Sequence, residues 1–539
     1  MPNSSIPTLR WLAVALAATL TCGTGTLHAQ DHDLPDMGSS ADTLITPAQE
    51  AGYGAQMLGE LRRLGMTIED PLLDEWIGNL GHRLAAYSDR PDQPFTFFLI
   101  RDRAINAFAT LGGYIAMNTG LVLTAEREDE VAAVLAHEIA HATQRHIVRS
   151  VEAAQKDSLP ILLGMLGAVV AAQQAGGDGD ATQAAIAGGL ALLQQRQINF
   201  TRSNEHEADR IGIGVLAKAG YDPVAMADFF GRMLRATRSQ GDSVPDFLRT
   251  HPVTTTRISE AKDRAQRLQP TPRPALAPSS LGTLGSIDVG TVLVSSPGPD
   301  PRTFAFARER MRVLGASTAA EAASEYHKRL RAGDALNDAE RYGMAIADML
   351  SGQADRAATA LEALSAQHPD LFWVELAHAE ALHRAGRASQ AEQAFETLLR
   401  RLPNSSAVAI AYASALAEHG TREHGQRAME VLRPLLSSAS YDPSFQRSFA
   451  RAAELAGDIP RAAEAHAEAA FLSGRAEDAL NQLQRLKERT DLDYVQRARV
   501  EARISAMTPI VLELRARGIR PDGSSRNNGS GLSLHADLH

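Results

Sequence analysis

Hydrophobic positions along the chain follow a helical period almost throughout. Between Glu128 and Ser150 there is no Gly or Pro, and Val131, Leu135 and Ile139 form an apolar stripe, which predicts one helix over that whole segment. Ala133, Val134 and Ala140 leave much of its remaining surface small or apolar, so this helix belongs in a core. A second helix is predicted to start at Ser203 as its cap, to run through Ile211, Val215 and Leu216, and to stop at Gly220 before Tyr221-Asp222-Pro223. Tyr114 to Met117 reads as a short apolar strand beside Gly112-Gly113. Two apolar runs rich in Ala and Gly, Leu159 to Ala172 and Ala181 to Leu193, flank a Gly/Asp-rich break. Each is shorter than the roughly 20 residues a membrane span needs. They predict a helical hairpin over the neighbouring site, with at most peripheral membrane contact.

From Phe304 to Met507 the chain is rich in Ala, Leu and Arg, helical in pattern and repetitive. Gly352, Gly386 and Gly420 are spaced by 34 residues; Ala357 and Ala391 each follow the first two by five, and Pro369 and Pro403 keep the same interval. Thirty-four is the tetratricopeptide period. The Gly permits a tight turn between paired helices, the Ala lets them pack closely, and stacked pairs form a solenoid with a concave face for protein segments. The expected division is a signal peptide over 1–29, a catalytic domain over 30–267, a Pro-rich linker over 268–303, repeats over 304–515 and a disordered tail over 516–539.

Chemistry enters with His137-Glu138-Ile139-Ala140-His141. A helix brings positions i and i+4 onto one face, so both imidazoles can meet one metal while Glu138 stands beside them as a base. His146 lies five residues past His141, about 140° round a continuous helix, and is rejected as a ligand. In the second helix Glu205 and Asp209 share a face, which would let Glu205 bind the metal while Asp209 orients a ligand His.

With these motifs the chain resembles the HtpX-like and CAAX-prenyl-protease-like zinc peptidases, marked by HExxH and a downstream ExxxD: here His137, Glu138 and His141, then Glu205 and Asp209. Two further stretches fit: Asn106 through Gly112-Gly113-Tyr114-Ile115 to Leu121, and His251-Pro252 followed by Arg257. The resemblance covers about Pro47 to Lys262 and is strongest to periplasmic protease-chaperones of the BepA-like type. It implies a mainly α (α+β) zincin-type peptidase domain with a small β-sheet, followed by an all-α tetratricopeptide solenoid. It further implies one zinc per chain on His137, His141 and Glu205, with Glu138 catalytic and Asp209 behind the ligands. Gly113, Tyr114 and Ile115 would form the edge strand that a substrate pairs with, and His251 would be a reversible fourth ligand that keeps the enzyme off. Arg257 would contact the oxyanion or hold the His251 loop. The implied clients are unfolded or misassembled outer-membrane proteins, with the outer-membrane insertion machinery as partner of the repeats. The competing expectation is a chaperone or scaffold with a latent metal site.

Arg10, the apolar stretch Trp11 to Leu20 and the small-residue end Leu27-His28-Ala29 read as a secretory signal, which suggests a periplasmic protein. Cys22, the only cysteine, lies inside that signal, and Thr19-Leu20-Thr21 before it is a poor match to a lipid-attachment box. The mature chain would then carry no thiol into an oxidising compartment. A net charge of -10 over 539 residues, with pI near 6.0, argues against nucleic acid as a partner.

Overall fold

The computed structural model describes residues 45–156, 161, 179–239, 246–268 and 302–516. The signal peptide with Cys22, the bulk of the 268–303 linker, the tail beyond Ala516 and most of the first arm of the expected hairpin lie outside these residues.

The first helices are set by their N-terminal residues. α1 (Pro47–Arg63) starts with a capping box between Thr46 and Gln49, and α2 (Pro71–Ala85) with Asp70 accepting from the Leu73 N–H ahead of Pro71. Three short strands follow: β1 (Thr96–Ile100), β2 (Ala107–Ala109) and β3 (Tyr114–Asn118). Their order is β1-β3-β2, with β3 parallel to β1 and antiparallel to β2.

This order corrects one expectation. Gly113, Tyr114 and Ile115 are not a free edge: Tyr114 opposes Thr96 of β1, while Ile115 opposes both Phe97 of β1 and Ala109 of β2. The cause is the Gly112-Gly113 pair, whose φ values of 73° and 79° reverse the chain and lay β3 between its neighbours. A Cβ on Gly113 would also strike the Pro94 carbonyl at 2.2 Å. The edge on this side is β2.

A short helix, α3 (Thr119–Thr124), leads to α4 (Glu128–Thr143), which is buried over nearly all its length as its small and apolar surface requires. The single helix expected to Ser150 is broken. Gln144 and Arg145 form a turn, Arg145 takes φ 51°, and 146–156 starts a new helical segment. A positive φ at a non-Gly residue costs about 1–3 kcal/mol and leaves no composition signal. It is held here by the Arg145 guanidinium, which bonds the buried Glu50 carboxylate of α1 and the Ile45 carbonyl.

The next helix, α5 (Gly179–Lys218), is one rod of 40 residues, so Ser203 is interior and caps nothing. No Gly or Pro between Leu190 and Ile211 interrupts it, and Ser is tolerated inside a helix. It ends at the expected place, with Gly220 at φ 83° and the Tyr221 N–H returning to the Leu216 carbonyl. α6 (Ala225–Ser239), α7 (Asp246–Thr250) and α8 (Thr255–Arg267) complete the first part.

Twelve antiparallel-patterned helices follow among the described residues, from α9 (Thr303–Leu314) to α20 (Tyr494–Ala516). Gly352, Gly386 and Gly420 lie between the members of successive pairs at φ 88°, 74° and 72°, and an added Cβ at any of them would meet nothing within 4 Å. Backbone conformation, not crowding, therefore selects glycine. Ala357 and Ala391 are fully buried between helices, as the repeat predicts.

The repeats do not stand apart from the first part. One hydrophobic core runs from Leu72 and Trp76 of α2 through Phe304 and Met311 of α9 into the middle of the solenoid. At its centre the buried Arg310 grips Asp70 with two bonds, 2.9 and 2.7 Å, so the residue that caps α2 also anchors the repeats. Among the described residues no helix is long and apolar enough to cross a membrane.

Candidate metal centre

α4 presents His137 and His141 one turn apart, and α5 crosses it with Glu205 and Asp209 one turn apart. His251 arrives from the turn between α7 and α8, its ring stacked on Phe247 at 4.7 Å. His137, His141, Glu205 and His251 each offer one donor atom to a group whose members all lie within 4.8 Å of one another. The Nε2 atoms of His137 and His141 are 3.0 Å apart, and each is 3.4 Å from a Glu205 oxygen. Donors around a tetrahedral zinc at about 2.1 Å would be roughly 3.4 Å apart. The three rings stand at 65°, 71° and 79° to one another, so lone pairs in the ring planes can meet at one point.

A second donor group, Glu392, His419 and His424, lies on the repeats. There the two rings stack at 22° and 4.5 Å, so their lone pairs run side by side and do not converge.

The electrostatics at the first group suit a cation. Burial pulls His137 down, but Asp209 and Glu205 outweigh it and push its pKa up to about 10. Burial raises Glu205, yet His251, His137 and His141 hold its carboxyl well below the usual range. The carboxylates that keep a proton on His137 would equally complement a metal in its place, which satisfies the fit for a divalent ion on these donors.

Around the donors, Asp209 Oδ1 is 3.0 Å from His137 Nδ1, the nitrogen that faces away from the group, an ion-pair contact that is not aligned as a hydrogen bond. Arg257 bonds both Asp209 oxygens at 2.7 and 2.8 Å, donates to the Pro252 carbonyl at 2.9 Å, and lies 2.9 Å from Glu205 Oε2. Its guanidinium covers the Phe230 ring. Of the two roles left open by sequence, this geometry is that of holding the His251 loop and the acidic face of α5.

Glu138 points to the other side of the group. Its Oε2 accepts the Ala109 N–H of β2 at 2.8 Å, and its Oε1 is buried with no hydrogen-bond partner, 3.7 Å from His251 Nε2. Asn106 and Thr110, which flank β2, bond to β3 and its end, so by the alternation of an antiparallel pair the backbone groups of Ala107 and Ala109 face away from β3; Ala107 is fully buried there, and the Ala109 N–H meets Glu138. The residues expected at the edge, Gly113 to Ile115, lie one strand inside it.

Two neighbours escaped that reasoning altogether, His146 as a contact of the site and Glu207 behind it. His146, set aside as a ligand by its spacing, is buried with Nδ1 2.9 Å from His141 Nδ1, and its Nε2 lies 3.1 Å from Glu207 Oε2. The signal was hidden by the left-handed turn at Arg145.

Comparison with known proteins agrees with this geometry. The model of peptidase family M48 matches residues 71–265, and a tetratricopeptide-repeat model matches residues 348–417. The beta-barrel assembly-enhancing protease of Escherichia coli K12 is 39% identical over 264 residues, 48% of this chain and 53% of its own. That of Yersinia pestis is 36% identical over 355 residues, 65% of this chain and 66% of its own. A Vibrio cholerae relative provisionally given the same name is 45% identical over 267 residues, 49% of this chain and 53% of its own. The chain thus spans about half the length of the Vibrio cholerae and Escherichia coli relatives. Residues 71–265 are a peptidase family M48 domain, and a tetratricopeptide-repeat region follows it.

Proposed function

We propose that the chain is a periplasmic zinc-dependent endopeptidase that cleaves unfolded or misassembled outer-membrane proteins, with its repeats docking client or insertion-machinery segments. The observation that carries this reading is the convergence of His137, His141 and Glu205 beside the unpartnered Oε1 of Glu138. The names of the relatives support the client class, and the predicted signal supports the compartment.

Zinc held by His137, His141 and Glu205 would supply a Lewis acid for the peptide carbonyl and an acidified water. Glu138 Oε1 takes the proton of the attacking water and returns it to the amine nitrogen as the peptide bond breaks. An extended substrate approaches the half-buried end of β2 at the Ala109 carbonyl, the Ala109 N–H being held by Glu138, which lays its own carbonyl against the donors. Asp209 fixes the His137 ring, and Arg257 fixes Asp209. His251 Nδ1, 2.9 Å from Glu205 Oε1, stands where the water and the carbonyl must enter, so its withdrawal switches the enzyme on.

A second reading, a scaffold with a latent site, is favoured by that same position of His251. Digestion of an unfolded outer-membrane barrel by wild type, His251→Ala and Glu138→Gln chains, with and without zinc, separates the two. The peptidase reading expects cleavage that needs zinc, rises in His251→Ala and vanishes in Glu138→Gln. No cleavage by the wild type or His251→Ala chain supports the scaffold.

A further inference from the structure

Each cluster histidine has two ring nitrogens, and in both His137 and His141 it is Nε2 that faces the other donors. The outward Nδ1 of His137 meets Asp209. Among the described residues the outward Nδ1 of His141 meets no carboxylate directly; it meets the buried His146, which meets Glu207. We propose that His146 is a positioning residue for the metal centre, fixing the tautomer and orientation of His141 as the middle member of a Glu207–His146–His141 chain. The proposal rests on His141 being a metal ligand.

With both rings neutral, proton placement along the chain leaves one self-consistent arrangement. A carboxylate can only accept, so Glu207 Oε2 takes the His146 Nε2–H. A neutral imidazole with its proton on Nε2 has a bare Nδ1. That nitrogen can only accept, so it takes the Nδ1–H of His141. His141 is thereby left with its lone pair on Nε2, the nitrogen among the donors. Two facing imidazole nitrogens 2.9 Å apart would otherwise repel, either as two lone pairs or as two N–H groups.

The backbone is shaped for this contact. Had α4 continued, His146 would have pointed away from His141; the left-handed Arg145 ends the helix and folds His146 back over the ring, at 4.7 Å and 83°. That strain is held from outside by the bonds of Arg145 to Glu50 and Ile45. A strained non-Gly residue that delivers a buried polar ring onto another is a feature that packing alone does not require. On α5, Glu205, Glu207 and Asp209 then divide the work: Glu205 offers a donor, Asp209 serves His137, and Glu207 serves His141 through His146. Glu207 leaves the helix about 200° round from Glu205, which is why it needs the intervening ring to reach the site. Arg149 closes the chain at the surface, 3.0 Å from the same Glu207 oxygen.

The test uses the full chain and zinc. His146→Phe keeps a planar ring in the buried site and removes the acceptor; His146→Asn can present Oδ1 where Nδ1 stands. Zinc affinity is measured by chelator competition at pH 7.5, alongside the unfolding midpoint of each metal-free chain. The expected result is a 10–100-fold weaker affinity, about the range for loss of an outer-shell partner, in His146→Phe and recovery of most of it in His146→Asn. Recovery in His146→Asn is the readout that a merely structural role would not move, because Asn restores the acceptor and not the ring. Unchanged zinc affinity in His146→Phe, or no recovery in His146→Asn when both variants keep the wild-type unfolding midpoint, overturns the proposal. If the wild type takes up no zinc, the metal-site reading itself falls, a result distinct from a zinc-binding wild type matched by its Phe variant.

Discussion

Arg257 offers a sharp separation between two kinds of role. As an oxyanion contact it would touch only the reaction; as built, its guanidinium is fully committed to Asp209, Glu205 and the Pro252 carbonyl in a buried setting. Arg257→Met keeps much of the side-chain volume and its cover of Phe230 but leaves the buried Asp209 and Glu205 with only the His137 cation between them. Removing one member of a buried ion pair costs about 3–5 kcal/mol. At about 2.1 cal/mol/K per residue, roughly 400 residues sharing one core give about 1 °C per kcal/mol, so the unfolding midpoint of the metal-free chain should fall by about 4–6 °C. The assay is calorimetric or circular-dichroism melting of the metal-free full chain, followed by zinc titration and digestion. An oxyanion role predicts instead an unchanged midpoint, unchanged zinc binding and a rate loss of about 10²–10³-fold. That second pattern would refute the assignment of Arg257 as the clamp on Asp209 and the His251 loop.

Further outcomes follow from the same geometry. Glu138→Gln should retain zinc at wild-type stoichiometry and lose at least about 10²-fold in cleavage rate, checked by metal analysis and peptide hydrolysis, because only the base is removed. The His137 pKa is raised by Asp209 and Glu205 from 6.5 to about 10 in the metal-free chain. Its contribution to stability is therefore complete below about pH 6.5 and lost as pH rises through 10, and zinc uptake at pH 7.5 should release about one proton from this ring, readable by calorimetry in buffers of different ionisation enthalpy. Gly386→Ala, at φ 74° with no clash, should cost about 1 kcal/mol in denaturant unfolding, and Gly386→Asn less.

Much of this molecule is legible in the sequence because its signals are local. The i, i+4 spacings of His137/His141 and Glu205/Asp209 fix which side chains share a helix face, and the 34-residue interval of the glycines fixes where helix pairs turn. What stayed hidden depends on long-range partners. The break after Thr143 relies on Glu50, some hundred residues earlier, to hold a left-handed Arg, so neither the turn nor the His146–His141 contact has a local signature. The central place of β3 follows from pairing with β1, which no short apolar run reveals. Ser203 could cap a helix, but nothing upstream stops one, and the rod runs through it. Likewise the Pro-rich stretch after Leu268 reads as a linker or an extended wrap, and nothing local shows that Arg310–Asp70 and a shared core join the repeats to α2.

The most direct test of the central claim is zinc K-edge X-ray absorption on the metal-free chain reconstituted with one equivalent of zinc. The account predicts a four- or five-coordinate centre with only nitrogen and oxygen at about 2.0–2.2 Å and outer-shell scattering from at least two imidazoles, lost in His137→Ala/His141→Ala. An oxygen-only six-coordinate spectrum, or an imidazole signal that survives that double substitution, would contradict it.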